Sequence, residues 1–159
     1  MEMRLVRCLS ADPRWADCRE RLWPEATLTT HQHEIERLLG GSTPSAAWLA
    51  LLDEDVAGFA ETLLRSDPVN GCESSPVAFL EGLWVDPRYR RCGVARALIA
   101  VAEDWARSLG CAEFASDALI DNTVGHATHM AAGFEETERV VCYRKKLARA
   151  EQLAARAIT

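Results

Sequence analysis

The sequence has no uninterrupted apolar run of the ~20 residues needed to cross a bilayer. Its first ten residues, MEMRLVRCLS, lack the long apolar segment of a secretory signal. The six cysteines include no C-x-x-C pair, so neither a zinc site nor a disulfide framework is indicated. These absences predict a cytoplasmic protein with reduced cysteines and no membrane partner.

Internal repeats and low-complexity linkers are also absent, and neither nucleotide-binding glycine motif, G-x-x-x-x-G-K-[ST] or G-x-G-x-x-G, occurs. The chain of 159 residues is 48% hydrophobic and 26% charged, enough to bury one substantial core. We expect a single domain over residues 1–147, followed by a C-terminal tail over residues 148–159.

Positive charge is scarce outside two regions. Residues 88–96 and 139–159 hold 10 of the 18 basic residues and a single acid, which leaves eight basic and 23 acidic residues elsewhere, a net of -15. Such a surface would repel nucleic acid and attract a polycation, while the basic regions could hold a compact polyanion. The alternative is that these charges are ordinary solvated surface.

The hydrophobic patterns predict the order β-α-α-β-β-β-α-β-α-β-β. The first helix runs from Pro13 to Trp23 with Asp12 as its N-cap, and the second is capped by Thr29 or Thr30. A D-E-D turn at 53–55 joins two strands into a hairpin. This order favours a mixed α/β fold, antiparallel in its first half, with about seven strands flanked by about four helices.

The second half supplies a β-α-β unit. VAFLEGLWV is a strand with a bulge expected at Gly82, and an apolar helix follows and ends at Gly110. CAEFASDAL reads as a buried strand, and Asn122 caps the next helix. GFEETERVVCYRKKL is expected to give the two final strands.

An arginine-rich glycine turn, PRYRRCGVARALIA, stands where a strand ends and a helix begins. Free N–H groups at a helix start bind phosphate, and Gly93 would let a ligand approach the backbone closely. A surface arginine cluster is the alternative interpretation.

Arg90-x-x-Gly93-x-Ala95 after FLEGLWVDPRYR resembles the Q/R-x-x-G-x-G/A pyrophosphate loop of the GNAT acyltransferases, and the predicted element order is that of the superfamily. VNGCESSPVAFLEGLWV, ASD followed by NT, GFEETERVVCYRKK and the early LWP are similar to aminoglycoside 6'-N-acetyltransferases. The resemblance covers residues 3–147. It implies an acetyl-CoA-dependent enzyme that acetylates the 6'-amine of aminoglycosides and confers resistance.

The resemblance also implies the site residues. The pyrophosphate would be held by backbone N–H groups of residues 91–96 and the pantetheine arm by strand residues; the implied CoA-binding set is Leu83, Trp84, Val85, Arg90, Arg91, Cys92, Gly93, Val94, Ala95, Arg96 and Asn122. The aminoglycoside would contact Trp23, Glu81, Asp117 and Glu138. The sequence departs from the family at Pro68, where relatives carry an aromatic residue, so the resemblance implies a different drug preference here.

The chemistry assigns three catalytic candidates. Glu81 would hold the substrate ammonium or accept its proton, and a backbone N–H near Leu83 would stabilise the tetrahedral oxyanion. His129 stands where many GNAT enzymes have a tyrosine, so it is either the acid that protonates the CoA thiolate or a helix histidine bonded to the backbone. A cysteine acyl-enzyme is not indicated.

Other features have simpler interpretations. The pairs His31–His33 and His126–His129 have too few companions for a metal site, so no metal is expected. Trp15, Trp48 and Trp105 are assigned to the core.

Two other functions remain open: a GNAT enzyme for polyamines or protein amines, and a noncatalytic acyl-CoA sensor. A homodimer through the C-terminal strands is also expected.

Overall fold

The computed structural model describes residues 2–147. Within them lie five strands and four α-helices, in the order β1 (Met3–Arg7), α1 (Pro13–Leu22), α2 (Leu28–Gly40), β2 (Ser45–Leu52), β3 (Asp55–Arg65), β4 (Val77–Val85), α3 (Val94–Ser108), β5 (Phe114–Ser116) and α4 (Thr123–Ala131). A 3₁₀ turn, Pro87–Tyr89, separates β4 from α3. None of the helices in this part of the chain is long and apolar enough to cross a bilayer.

The five strands form one sheet in the order β1-β2-β3-β4-β5. The first four pair antiparallel, and β5 pairs parallel with β4 after the crossover through α3. Asp53 and Glu54, both with positive φ, form the tight turn between β2 and β3. The predicted mixed α/β fold is therefore confirmed.

Alternation along β2 shows why helices cover both faces of the sheet. Trp48, Ala50 and Leu52 pack in the cluster that includes α3, whereas Leu49 and Leu51 pack in the cluster of α1 and α2. Successive side chains of a strand point to opposite faces, so an apolar run such as SAAWLALL needs cover on both.

The strand count is a correction: seven strands were expected, and residues 2–147 contain five. Residues 135–147 form neither helix nor strand and are largely exposed, although RVVCY is rich in β-formers. A strand exists only where its backbone finds a partner, and this segment has none in the described part of the chain. The predicted tail, 148–159, lies outside the described residues.

Two boundaries also differ from expectation. Helix α2 is capped by Thr27, whose hydroxyl accepts a hydrogen bond from the Thr30 N–H at 3.2 Å, and not by Thr29 or Thr30. The strand expected over CAEFASDAL is reduced to three residues, because β5 pairs with β4 only as far as Ser116.

Candidate active site

The bulge in β4 marks the centre of the site. Gly82 pairs with Glu61 across the sheet, whereas the next pair toward the start of β4 is Leu80 with Thr62. The extra residue is therefore Glu81, which has no partner on β3. The sequence predicted a bulge at Gly82; the bulge is present, and its extra residue is Glu81, one position earlier.

Beyond the bulge, β4 separates from β5. The two strands pair only from Ala78–Phe114 to Leu80–Ser116, whereas β4 remains paired with β3 as far as Val85. One backbone edge of residues 83–85 consequently has no strand partner within residues 2–147. The amide groups of an extended ligand could pair with this edge as a strand would.

The start of α3 offers an anion site at the end of the same strand. Gly93 is the N-cap with φ of 81°, it provides no side-chain cap, and the first helical hydrogen bond runs from the Ala97 N–H to the Gly93 carbonyl at 3.0 Å. The N–H groups of residues 94–96 therefore have no helical acceptor. A Cβ built at Gly93 meets nothing within 4 Å, so the helix start is open to a ligand.

The arginines around this helix start are not equivalent. Arg88 forms an ion pair with Asp86 at 2.9 Å, and this pairing lowers the pKa of Asp86. The Tyr89 hydroxyl donates to Asp55 at 2.7 Å and ties the loop to β3. Arg90, Arg91 and Arg96 have no ion-pair partner within residues 2–147, so their charge is available to a polyanion.

A pocket of about 770 Å³ opens beside the bulge. Its wall contains two of the predicted substrate residues, Trp23 and Glu81. Asp117 and Glu138 are exposed and do not belong to the wall. Leu80 and Ser116 are strand partners, and Glu81 and Asp117 are the residues that follow them on β4 and after β5. The pocket lies in the size range of small-molecule sites.

The charged groups of the wall are balanced. Three carboxylates, Glu34, Glu61 and Glu81, face three guanidinium groups, Arg19, Arg37 and Arg65. The charged side chains expected at the drug site were all carboxylates, those of Glu81, Asp117 and Glu138. That expectation is wrong for the described wall, because the arginines come from sequence regions that the overall charge count treats as acidic.

Glu81 is held by a guanidinium fork. Arg65 Nη2 contacts both carboxylate oxygens, at 2.8 and 3.0 Å, and Arg65 Nε donates to Oε1 at 3.0 Å. The same guanidinium lies over the Phe79 ring, 3.5 Å from its centroid. Glu81 therefore faces the pocket with a cation already bound to it.

A second, buried ion pair lies deeper in the wall. Arg19 Nη1 contacts both oxygens of Glu61 at 2.5 and 2.6 Å, and the Trp15 indole N–H donates to Glu61 at 2.8 Å. Burial raises the pKa of Glu61, and these donors oppose that by binding the ionised carboxylate. Arg19 also pairs with Glu34. All the buried polar side chains in the described part of the chain have partners.

His31 extends this network to Trp23. Its Nε2 lies 3.1 Å from the Trp23 carbonyl, and its Nδ1 lies 3.4 Å from Arg19 Nε. Because Arg19 can only donate, Nδ1 accepts and Nε2–H donates to the carbonyl. His31 is thus a buried structural histidine of α2 that binds the C-terminal end of α1. No cluster of three metal-ligating side chains occurs within residues 2–147.

His129 has both ring nitrogens engaged. Nδ1 lies 2.7 Å from the Gly125 carbonyl and Nε2 lies 2.8 Å from the Ser116 hydroxyl, which itself reaches the Leu80 carbonyl at 3.3 Å. The imidazole is therefore connected to the residue that precedes the bulge. Asn122 caps α4 through the Gly125 N–H at 2.9 Å, as predicted.

The cysteines offer no activated nucleophile in the core. Burial raises the pKa of Cys8 and of Cys18 to about 12 in each case, which keeps both as thiols. All six cysteines are free, and Cys92 is exposed beside the helix start. Trp15, Trp48 and Trp105 are buried as expected.

Apart from Glu81, sequence reasoning missed all the charged and histidine residues of the pocket wall: Arg19, His31, Glu34, Arg37, Glu61 and Arg65. Two of them carried a signal in the sequence. Glu61 is a lone acid in the apolar strand VAGFAETLL, and Arg19 stands one helical turn after Trp15 on the buried face of α1. A buried charge needs a partner, but the sequence does not show which residue provides it.

A divergent parallel strand pair, a main-chain anion site at the following helix and a pocket beside the bulge together define a CoA-dependent acyltransferase. Residues 13–134 match the family model for the acetyltransferase (GNAT) family, and the chain belongs to this family. Similar proteins include the aminoglycoside N(6')-acetyltransferase type 1 of Salmonella typhimurium, 45% identical over 146 residues that cover 92% of this chain and 99% of that protein.

Solved structures give the same result. AAC(6')-Iy in complex with the bisubstrate analogue CoA-S-monomethyl-acetylneamine superposes with a TM-score of 0.86 at 40% identity, over 92% of this chain and 100% of that one. AAC(6')-Iy in complex with CoA superposes with a TM-score of 0.86 at 41% identity, over 92% and 96% of the two chains.

Proposed function

We propose that this protein transfers the acetyl group of acetyl-CoA directly to the 6'-amine of aminoglycoside antibiotics and so confers resistance to them. The observation that carries the proposal is the position of Glu81: it is the bulged residue of β4, it faces the pocket, and it immediately precedes the strand edge left free by β5. The 45% identity to an aminoglycoside N(6')-acetyltransferase supports the same substrate.

Acetyl-CoA would be held mainly by the main chain. The pyrophosphate would accept hydrogen bonds from the N–H groups of residues 91–96, and Arg90, Arg91 and Arg96 add positive charge. The pantetheine would pair with the free edge of Leu83, Trp84 and Val85, with Asn122 nearby. The complex of AAC(6')-Iy with CoA supports this co-substrate.

The reaction would be a single displacement. The 6'-amine nitrogen attacks the thioester carbon, a C–N bond forms, and the C–S bond breaks as the tetrahedral intermediate collapses. Glu81 receives the proton that the 6'-ammonium loses before attack, directly or through water, and the N–H of Leu83 stabilises the oxyanion. The attacking nitrogen loses its second proton to solvent as the intermediate collapses to the amide. The CoA thiolate takes a proton from His129 Nε2 by replacing the Ser116 hydroxyl there, while the Nδ1–H keeps its hydrogen bond to the Gly125 carbonyl.

Trp23 would line the ring-binding face of the pocket, and Asp117 and Glu138 would orient the other charged rings. Both acids lie outside the wall of the pocket, so they would contact the drug where it projects from it. Such a position suits carboxylates that recognise a polycation by complementary charge.

We also propose a cytoplasmic homodimer, because acetyl-CoA is a cytoplasmic metabolite and because residues 135–147 have no partner strand among the described residues. Val140, Val141, Tyr143 and Leu147 in this segment are all exposed. Pairing with a second copy would cover them and would extend the sheet. Light scattering of the purified protein tests this; a monomer at micromolar concentration would contradict it.

Acetylation of neomycin and paromomycin tests the function, because these two drugs differ in bearing an amine or a hydroxyl at position 6'. Release of CoA with neomycin alone, and a single acetyl group located on N6' by mass spectrometry, is the expected result. Faster turnover of spermidine would favour the polyamine alternative. Absence of CoA release with every amine would leave an acyl-CoA sensor.

A further inference from the structure

The pocket proposed for a polycation carries no net charge from its acidic and arginine side chains, because its three carboxylates face three guanidinium groups. A drug with several ammonium groups gains little from carboxylates that already have cations bound. At least one guanidinium must therefore give way when the substrate enters. The exposure of each ion pair shows which guanidinium is free to move.

The two ion pairs of the wall differ in how firmly they are held. The side chains of Arg19 and Glu61 are 7% and 5% exposed, and Trp15 and Glu34 bind the same pair. Those of Arg65 and Glu81 are 38% and 26% exposed, and Glu81 has no other hydrogen-bond partner within residues 2–147. An ion pair that water reaches contributes little net free energy, whereas a buried pair is costly to break.

We propose that Arg65 is an exchangeable counterion of Glu81 and thereby a determinant of substrate affinity; this inference rests on the proposed function. In the free protein the guanidinium holds Glu81 oriented toward the pocket. On binding, a substrate ammonium takes its place at the two carboxylate oxygens, and the guanidinium moves toward solvent.

The exchange has a measurable consequence. A substrate ammonium reaches both oxygens of Glu81 only by displacing Arg65. The Arg65–Glu81 ion pair stabilises the substrate-free protein and therefore lowers its affinity for the substrate. Removing its charge should therefore tighten binding, whereas loss of a residue that contacts the substrate favourably would weaken it. The direction of the change distinguishes the two roles.

Titration calorimetry of tobramycin into CoA-saturated protein tests the proposal. Arg65→Met keeps an unbranched side chain over Phe79 and removes the charge, and we expect its dissociation constant to fall about three- to tenfold. The matched control is Arg107→Met, which removes the same charge from an exposed ion pair with Glu103 on α3. The control should stay within about twofold of the parent protein.

The effect must also depend on Glu81. In a Glu81→Gln background, Arg65→Met should change the dissociation constant less than about twofold, because a neutral amide holds neither cation strongly. Should Arg65→Met fold poorly, Arg65→Gln decides: it also removes the charge and keeps an unbranched stem over Phe79, and we expect binding about threefold tighter than that of the parent protein.

Unchanged or weaker binding in the folded Arg65 variants, with the parent protein binding tobramycin, would overturn the inference and leave the proposed function standing. A parent protein that does not bind tobramycin in the presence of CoA would overturn the proposed function itself, and the inference with it.

Discussion

The indole ring of Trp23 occupies the space in which a side chain at position 82 would stand. A Cβ built on Gly82 lies 2.7 Å from Trp23 Cη2 and 3.2 Å from Leu22 Cδ2. The same ring makes an edge contact with Phe59, and the Arg19 guanidinium carbon lies over it, 4.8 Å from the centroid of the indole. The end of α1 and the bulge of β4 are thus packed directly on each other at the pocket.

Gly82→Ala should therefore damage substrate binding as well as stability. The new methyl group must move the indole, and overpacking of this kind costs about 1–3 kcal/mol. We expect the KM for tobramycin to rise about tenfold and the tryptophan fluorescence to change. Gly40→Ala, where a Cβ meets nothing within 4 Å, is the control. Equal kinetics in both variants would show that the contact has no role in binding.

The helix start of α3 offers a second matched comparison. Gly93 and Gly110 flank the same helix with φ of 81° and 77°, and a Cβ at either meets nothing within 4 Å. Alanine at either position should cost a similar ~1 kcal/mol of strain in the free energy of unfolding. Only Gly93→Ala should weaken CoA binding measured by calorimetry, because only Gly93 lies at the predicted pyrophosphate site. Equal CoA affinity in both variants would argue against that site.

Most features of the fold that depend on neighbouring residues were predictable from the sequence, although α2 is capped by Thr27 and not by Thr29 or Thr30. Asp12 caps α1 and Asn122 caps α4 as expected, because capping is decided by side chains within three residues of the helix start. The tight turn at Asp53, the bulge and the glycine at the start of α3 follow from local backbone preferences in the same way.

Features that depend on distant partners were not predictable. Arg19 meets Glu61, Arg65 meets Glu81 and Trp23 meets Gly82 only after the sheet has formed. The net charge of -15 was counted along the sequence, whereas the charge of the pocket depends on which arginines fold into it. The expected final strands failed for a related reason, since β-propensity does not supply a partner strand.

His129 should prove to be an acid whose removal lowers turnover. With His129→Phe we expect kcat to fall about 100-fold, because the departing thiolate loses its proton donor. Ser116→Ala removes only the hydroxyl next to Nε2, leaves the bond to the Gly125 carbonyl, and should lower kcat less than about threefold. An unchanged maximal rate in His129→Phe would assign this histidine to structure alone.

The cap of α1 links stability to the pocket, because this helix ends at Trp23. Asp12 accepts a hydrogen bond from the Arg14 N–H at 2.9 Å and pairs with its guanidinium at 2.7 Å, and these contacts lower the pKa of Asp12. Asp12→Ala should reduce the free energy of unfolding by about 1 kcal/mol at pH 7. Asp12→Asn keeps an oxygen that accepts from the Arg14 N–H, so its free energy of unfolding should fall by only about 0.3 kcal/mol.

The pH dependence of the free energy of unfolding separates the contribution of the Asp12 charge from that of its hydrogen bond to the helix. A carboxylate with a lowered pKa in the folded state stabilises the protein above its unfolded value, about 3.8, and that contribution disappears as pH falls through the lower folded value. The advantage of the parent protein over Asp12→Asn should therefore be present at pH 7 and shrink below pH ~4 in urea unfolding. An advantage that stayed constant down to pH ~2 would mean that the ionised carboxylate contributes nothing, and that the cap acts only as a neutral acceptor.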